Sequence, residues 1–127
     1  MKGNLILFFI LLLTATIFIN GCQKDKYGFE FSSSSCNLEM GQYNRSSLGI
    51  NKTDWINNNK LQITVLVERN CADVIKEGYY QINENKVSLF YDVEECSPCT
   101  TCLCVKNLTY AFSNIPRKNY TFELKEV

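Results

Sequence analysis

Leu61-Gln-Ile-Thr-Val-Leu-Val-Glu68 is the stretch that decides the fold. Leu61, Ile63, Val65 and Val67 fall on one parity, and Gln62, Thr64 and Glu68 fall on the other, with Leu66 the one exception. Successive side chains of a strand point to opposite faces, so this alternation makes one apolar and one polar face. A helix would need apolar residues three and four apart. Past the apolar N-terminal run, no long segment of the chain has that period.

The period of two recurs on both sides of this stretch. Upstream, Tyr27-Gly-Phe29-Glu-Phe31 alternates aromatics and predicts a first strand, which the serines at 32–35 break. From 36 to 59 the signal is poor. Gly41, Gly49, the polar run at 44–47 and Asn57-Asn58-Asn59 predict loops around one or two short strands. Trp55 sits there between Asp54 and Ile56, and is expected to plug the end of a core rather than stack on a sugar. Downstream, Arg69-Asn70-Cys71-Ala72-Asp73 turns the chain, and Gly78-Tyr79-Tyr80-Gln81-Ile82 is the next strand. Asn83-Glu84-Asn85 is a hairpin turn, since Asn tolerates the left-handed backbone that turns require. Val87, Leu89, Tyr91 and Val93 alternate with Ser88, Phe90, Asp92 and Glu94 in the return strand.

Cys102, Cys104, Leu108, Tyr110 and Phe112 share a parity, which predicts a strand over 103–112 with a bulge at Lys106-Asn107. After a connection at 113–118, Tyr120, Phe122 and Leu124 alternate with Thr121, Glu123 and Lys125 in the last strand. Val65 and Phe122 lie in the middle of their apolar rows and are expected in the core. Short strands joined by turns, each with one apolar face, predict an all-β chain folded as a two-sheet sandwich.

Composition narrows the chemistry. The chain has 127 residues, 13 Lys+Arg against 13 Asp+Glu, seven Cys and no His. Without His there is no Ser/His/Asp triad, no Cys/His protease, no His-ligated zinc and no haem on a proximal His. Balanced charge gives no general attraction to nucleic acid, and none is expected as a partner. No Gly-rich phosphate loop and no Gly-x-Ser-x-Gly occurs. The expectation is a protein that is not an enzyme and has no cofactor beyond the lipid considered next.

Residues 5–19 are uncharged and follow a single basic residue, Lys2. As a helix they span roughly 22 Å, short of the ~30 Å of a bilayer core, which fits an export signal better than a membrane span. Ile19-Asn20-Gly21-Cys22 resembles the lipobox of bacterial lipoproteins, with a branched aliphatic at −3 and a small residue at −1. Asn20 at −2 departs from the usual small or apolar choice. The resemblance implies that Cys22 receives lipid through its thiol and becomes the first residue after cleavage. Gln23-Lys24-Asp25 resembles short export signals that send some outer-membrane lipoproteins to the cell surface. The implied location is the cell envelope, on the outer membrane, facing the periplasm or the outside.

Lipidation of Cys22 leaves six cysteines, Cys36, Cys71, Cys96, Cys99, Cys102 and Cys104, enough for three disulfides in an exported domain. Cys71 is expected to bond one cysteine of the 96–104 cluster and Cys36 another, with the last two pairing locally. Cys102 and Cys104 share a face with Leu108 and Tyr110, so at least one should point inward. The alternative is a thiolate metal or redox site on Cys96, Cys99, Cys102 and Cys104. Their spacing departs from ferredoxin and two-pair zinc patterns, and a redox Cys-x2-Cys would open a helix in a βαβ setting.

Cys102-Leu-Cys104-Val-Lys-Asn-Leu108-Thr-Tyr110-Ala-Phe112-Ser-Asn-Ile115-Pro116 and Tyr120-Thr-Phe122-Glu-Leu124 resemble the final hairpin of bacterial lipoproteins with an immunoglobulin-like β-sandwich, and Asn70-Cys71 is similar to an earlier cysteine of that uncharacterised group. The resemblance covers roughly 61–125 and implies a fold, not an activity. Asp92, Glu94 and Glu95 are read as a solvated acidic edge rather than a Ca²⁺ site, and the sequons at Asn44, Asn51, Asn107 and Asn119 as chance matches. The expected organisation is a cleaved signal at 1–21, a lipidated tether at 22–35 that takes in the first strand, and a disulfide-stapled β-sandwich domain at 36–127. The expected role is structural or binding, toward a protein or glycan partner.

Overall fold

The computed structural model describes residues 26–36 and 48–127. Cys22 and the apolar run before it, with the export and lipidation readings that depend on them, lie outside the described residues. The described chain forms seven strands: β1 (Gly28–Ser33), β2 (Gly49–Asn57), β3 (Lys60–Asn70), β4 (Val74–Asn83), β5 (Lys86–Glu94), β6 (Leu103–Ser113) and β7 (Thr121–Glu126). They make two sheets, one of order β1-β6-β3-β2 and one of order β4-β5-β7. Leu61, Ile63, Val65, Leu108, Tyr110 and Phe112 of the first sheet pack against Ile75, Val87, Leu89 and Tyr91 of the second. The alternation in β3 is therefore the inner face of a central strand, and Leu66, its exception, is buried as well.

Several expectations are corrected. β2 is one nine-residue strand, although Asn51-Lys-Thr-Asp54 gave no apolar row. It is an edge strand with most side chains in solvent, so no alternation was required of it. β4 begins at Val74, ahead of Gly78, because its register with β5 shifts between Ile75 and Gly78 and the shift hides the period. Gly78 is needed there: a Cβ would lie 2.1 Å from Cδ2 of Phe31. The bulge at Lys106-Asn107 does not exist. β3 and β6 pair without interruption from Lys60↔Ser113 to Asn70↔Leu103. Lys106 is buried on the strand, and its amine donates to the Asp73 carbonyl oxygen, which explains an inward charge.

β6 and β7 are not a hairpin. They belong to different sheets, and β7 pairs parallel to β5, from Lys86↔Thr121 to Tyr91↔Glu126. The crossing between them is pinned by the fully buried Ile115, whose N–H donates to Asn59 O at 3.2 Å. Alternation fixes which face a strand buries but not its neighbour, and that is why the pairing was misassigned. The parallel pair and the β1-β6-β3-β2 order also depart from the ABED and CFG sheets of constant-type immunoglobulin domains. Phe122 is only half-buried, because β7 is an edge, whereas Val65 is fully buried. β1, assigned to the tether, is a full member of its sheet along β6, so the sandwich begins at Gly28.

Among the described residues, register gathers the turns and crossings at two ends. Asn70, Leu103, Val74 and Glu94 mark one end, where the cysteines collect, and Ser33, opposite Leu108, leads toward it by way of Cys36. Gly28, Lys60, Ser113, Lys86 and Thr121 mark the other.

Candidate functional site

The cysteine end is built by the chain leaving β3, the chain entering β6 and the segment after β1. Cys71 follows β3 and its N–H donates to Cys102 O at 2.9 Å, which brings the two Cα atoms to 5.4 Å. Cys36, just past β1, bonds Cys104 on β6 with Cα atoms 5.6 Å apart. Cys96 and Cys99 bond each other across a short turn. One long-range partner each for Cys71 and Cys36, and one local pair, is the arrangement expected from the sequence. Cys104 is the inward-facing member, 5% exposed.

Around the sulfurs is a polar network that sequence reasoning treated only as a turn. Asp73 is buried and accepts the Cys96 N–H at 2.9 Å on Oδ1 and Arg69 Nε at 3.1 Å on Oδ2. The Cys96 amide, then the Arg69 guanidinium, hold its carboxyl below the usual carboxylate range despite the opposing desolvation. Arg69 also donates to Glu126 Oε1 at 2.8 Å and lies 3.6 Å from Glu95. Tyr91 donates to the other oxygen of Glu126 at 3.2 Å, and burial with that carboxylate pushes its hydroxyl up to about 12. Asn70 donates to Thr100 O at 2.6 Å and accepts from the Thr100 hydroxyl and the Ala72 N–H. The one sequence signal for this network was the i,i+4 pair Arg69 and Asp73 flanking Cys71.

The arrangement divides the proposed thiolate set. Ligand atoms of Cys36, Cys71 and Cys104 lie within 4.8 Å of one another, and so do those of Asp73, Cys96 and Cys99. Cys96, Cys99, Cys102 and Cys104 therefore do not converge as one four-sulfur group. A disulfide sulfur carries no thiolate charge, and in this oxidised form the six cysteines make three bonds. Of the acidic trio, Glu94 is paired to Lys76 and Glu95 lies near Arg69.

At the opposite end, Trp55 stacks on Tyr120 with ring centroids 6.3 Å apart. Arg117 lies 5.8 Å over the Trp55 ring and Lys118 5.0 Å over Tyr120. Trp55 is partly buried against the core, as expected of a plug, but one side of it meets this cationic surface. Comparison of the chain with protein-family models, curated proteins and solved structures finds no match.

Proposed function

We propose that this chain is an exported lipoprotein, held on a membrane of the bacterial envelope by lipid on Cys22, whose β-sandwich acts as a structural or binding module for a protein or glycan. The observation that carries the reading is the closure of the cysteine count. Six of the seven cysteines pair among themselves, and Cys22 is left over at the position a lipobox assigns to the acceptor. Three bonds in a small domain also favour an oxidising, exported setting. The lack of His favours binding over catalysis. The sheet edges at β1, β2, β4 and β7 and the loops at both ends are where contacts would form. The kinship to immunoglobulin-like lipoproteins is kept only in the loose sense of two facing sheets, since the strand order differs.

The test is Cys22→Ser in cells fed labelled palmitate. The parent should be labelled and partition into detergent, and the variant should remain uncleaved or become soluble. A variant that is cleaved and still partitions like the parent would falsify the anchor. A pull-down from intact cells then seeks the partner.

A further inference from the structure

The end of the sandwich away from the cysteines is where the N-terminal segment enters. Gly28 opens β1 opposite Ser113, beside the 57–60 turn and the 114–120 crossing. Only five residues lie between it and Cys22, so even fully extended the six steps reach about 20 Å. A lipid on Cys22 would hold this end near the bilayer and leave the cysteine end distal.

The chemistry of that end fits the placement. Lys26, Lys60, Arg117 and Lys118 stand there with Glu84. Glu30 and Asp54 lie two residues in from it, and Asp54 is paired with Lys52 as Glu123 is with Lys86. The distal end is the reverse, with Glu68, Asp73, Glu94, Glu95 and Glu126 against Arg69, Lys76 and Lys106. The charge polarity thus points the basic end at the lipid. Ile56, next to Trp55, is 63% exposed, and Trp55 and Tyr120 stack beneath the two cations. Exposed Val74, Leu103 and Val127 lie at the acidic end. Amphipathic aromatics with neighbouring Lys and Arg are the composition that settles at a headgroup layer, and a lipid chain plus a basic patch binds more firmly than either alone.

We infer that Trp55, Ile56 and Tyr120, with Lys60, Arg117 and Lys118, form a lipid-facing surface that rests on the anionic phospholipid headgroups of the bilayer holding Cys22. The inference rests on the lipid anchor proposed above. It makes the membrane a second contact of the domain and orients the sandwich with its disulfides outward.

The single tryptophan supplies the probe. The processed, oxidised chain from Cys22 to Val127 is coupled through its one free thiol to a maleimide lipid, in phosphatidylcholine vesicles with or without phosphatidylglycerol. Lipids brominated near the headgroup should quench Trp55 several-fold more in the anionic vesicles, with the difference lost in high salt. Arg117→Glu with Lys118→Glu should abolish the difference, and Ile56→Ser should weaken the quenching. These side chains are exposed, and retention of three disulfides checks the fold of each variant. Trp55 unquenched in both vesicles, or quenched equally, would overturn the inference. So would shielding of Trp55 only at high surface density, which would seat a second copy there, or an emission change caused by an acidic oligosaccharide instead of lipid. Because the coupling is chemical, these outcomes do not depend on acylation in cells. Missing palmitate on Cys22 counts against the anchor, and unquenched Trp55 against the surface.

Discussion

At the cysteine end, three disulfides and the Arg69–Asp73–Glu126 network fix the backbone, whereas at the opposite end Trp55, Tyr120 and Arg117 join the turns by stacking and single hydrogen bonds. The difference follows from what each end has to hold. At the basic end the β2–β3 and β4–β5 connections are tight turns, the second with Glu84 at φ 53°, and Asn114 at φ 60° turns the chain out of β6. At the cysteine end the 95–102 segment lies outside both sheets. Its backbone is caught by Asn70, Asp73 and the bond from Cys102 to Cys71. Five of the six bonded cysteines stand outside the strand ladders, and Cys104 alone lies within one.

The largest test of this contrast is removal of the long-range bonds. Cys36→Ser with Cys104→Ser opens a loop of 68 residues, and Cys71→Ser with Cys102→Ser one of 31. Each should lower unfolding free energy by about 4 kcal/mol in denaturant titrations, while Cys96→Ser with Cys99→Ser should cost less than ~2 kcal/mol. Equal losses from all three would break the contrast. Next comes Arg69→Ala, which strips a buried carboxylate of its cation and should cost roughly 2–3 kcal/mol. A control lies between the ends: Gly78→Ala drives a methyl into Phe31 and should cost about 1–2 kcal/mol without altering either end.

The smallest effects separate the ends by pH. Lys125, Lys86 and Ser88 hold the Glu123 carboxyl down to about 2, below its ordinary 4.5. Its contribution is present above 4.5 and is lost as pH falls toward 2. Glu123→Gln should flatten that acid loss and leave the part due to Asp73. Tyr91 works in the other direction. Its raised hydroxyl favours the fold below pH 10, and that contribution is lost as pH rises toward 12. Tyr91→Phe should remove that alkaline loss. Urea midpoints across pH check both.

What the sequence revealed follows the same division. The inner rows of β3, β5 and β6 were legible because burying one face forces a period of two. β2 was not, since an edge strand in solvent owes nothing to that pattern. The parallel partner of β7 was not legible either, because a crossing of seven residues, 114–120, leaves no mark distinct from a long hairpin loop. At the site, the cysteine pairing could be reasoned from parity and distance along the chain. The role of Asp73 could not, because an acidic residue in a turn reads as solvated until Arg69, Lys106 and the Cys96 amide are seen to converge on it.

The central claim is that six cysteines are spent on structure so that Cys22 alone carries lipid. Intact and peptide-level mass spectrometry of the chain extracted from membranes, alkylated without reductant, tests it most directly. The expected result is an N-terminal Cys22 bearing acyl groups, no alkylation at the other six, and the pairs Cys36–Cys104, Cys71–Cys102 and Cys96–Cys99. Alkylation of an unacylated Cys22, or of Cys96, Cys99, Cys102 and Cys104 together after treatment with a chelator, would contradict it.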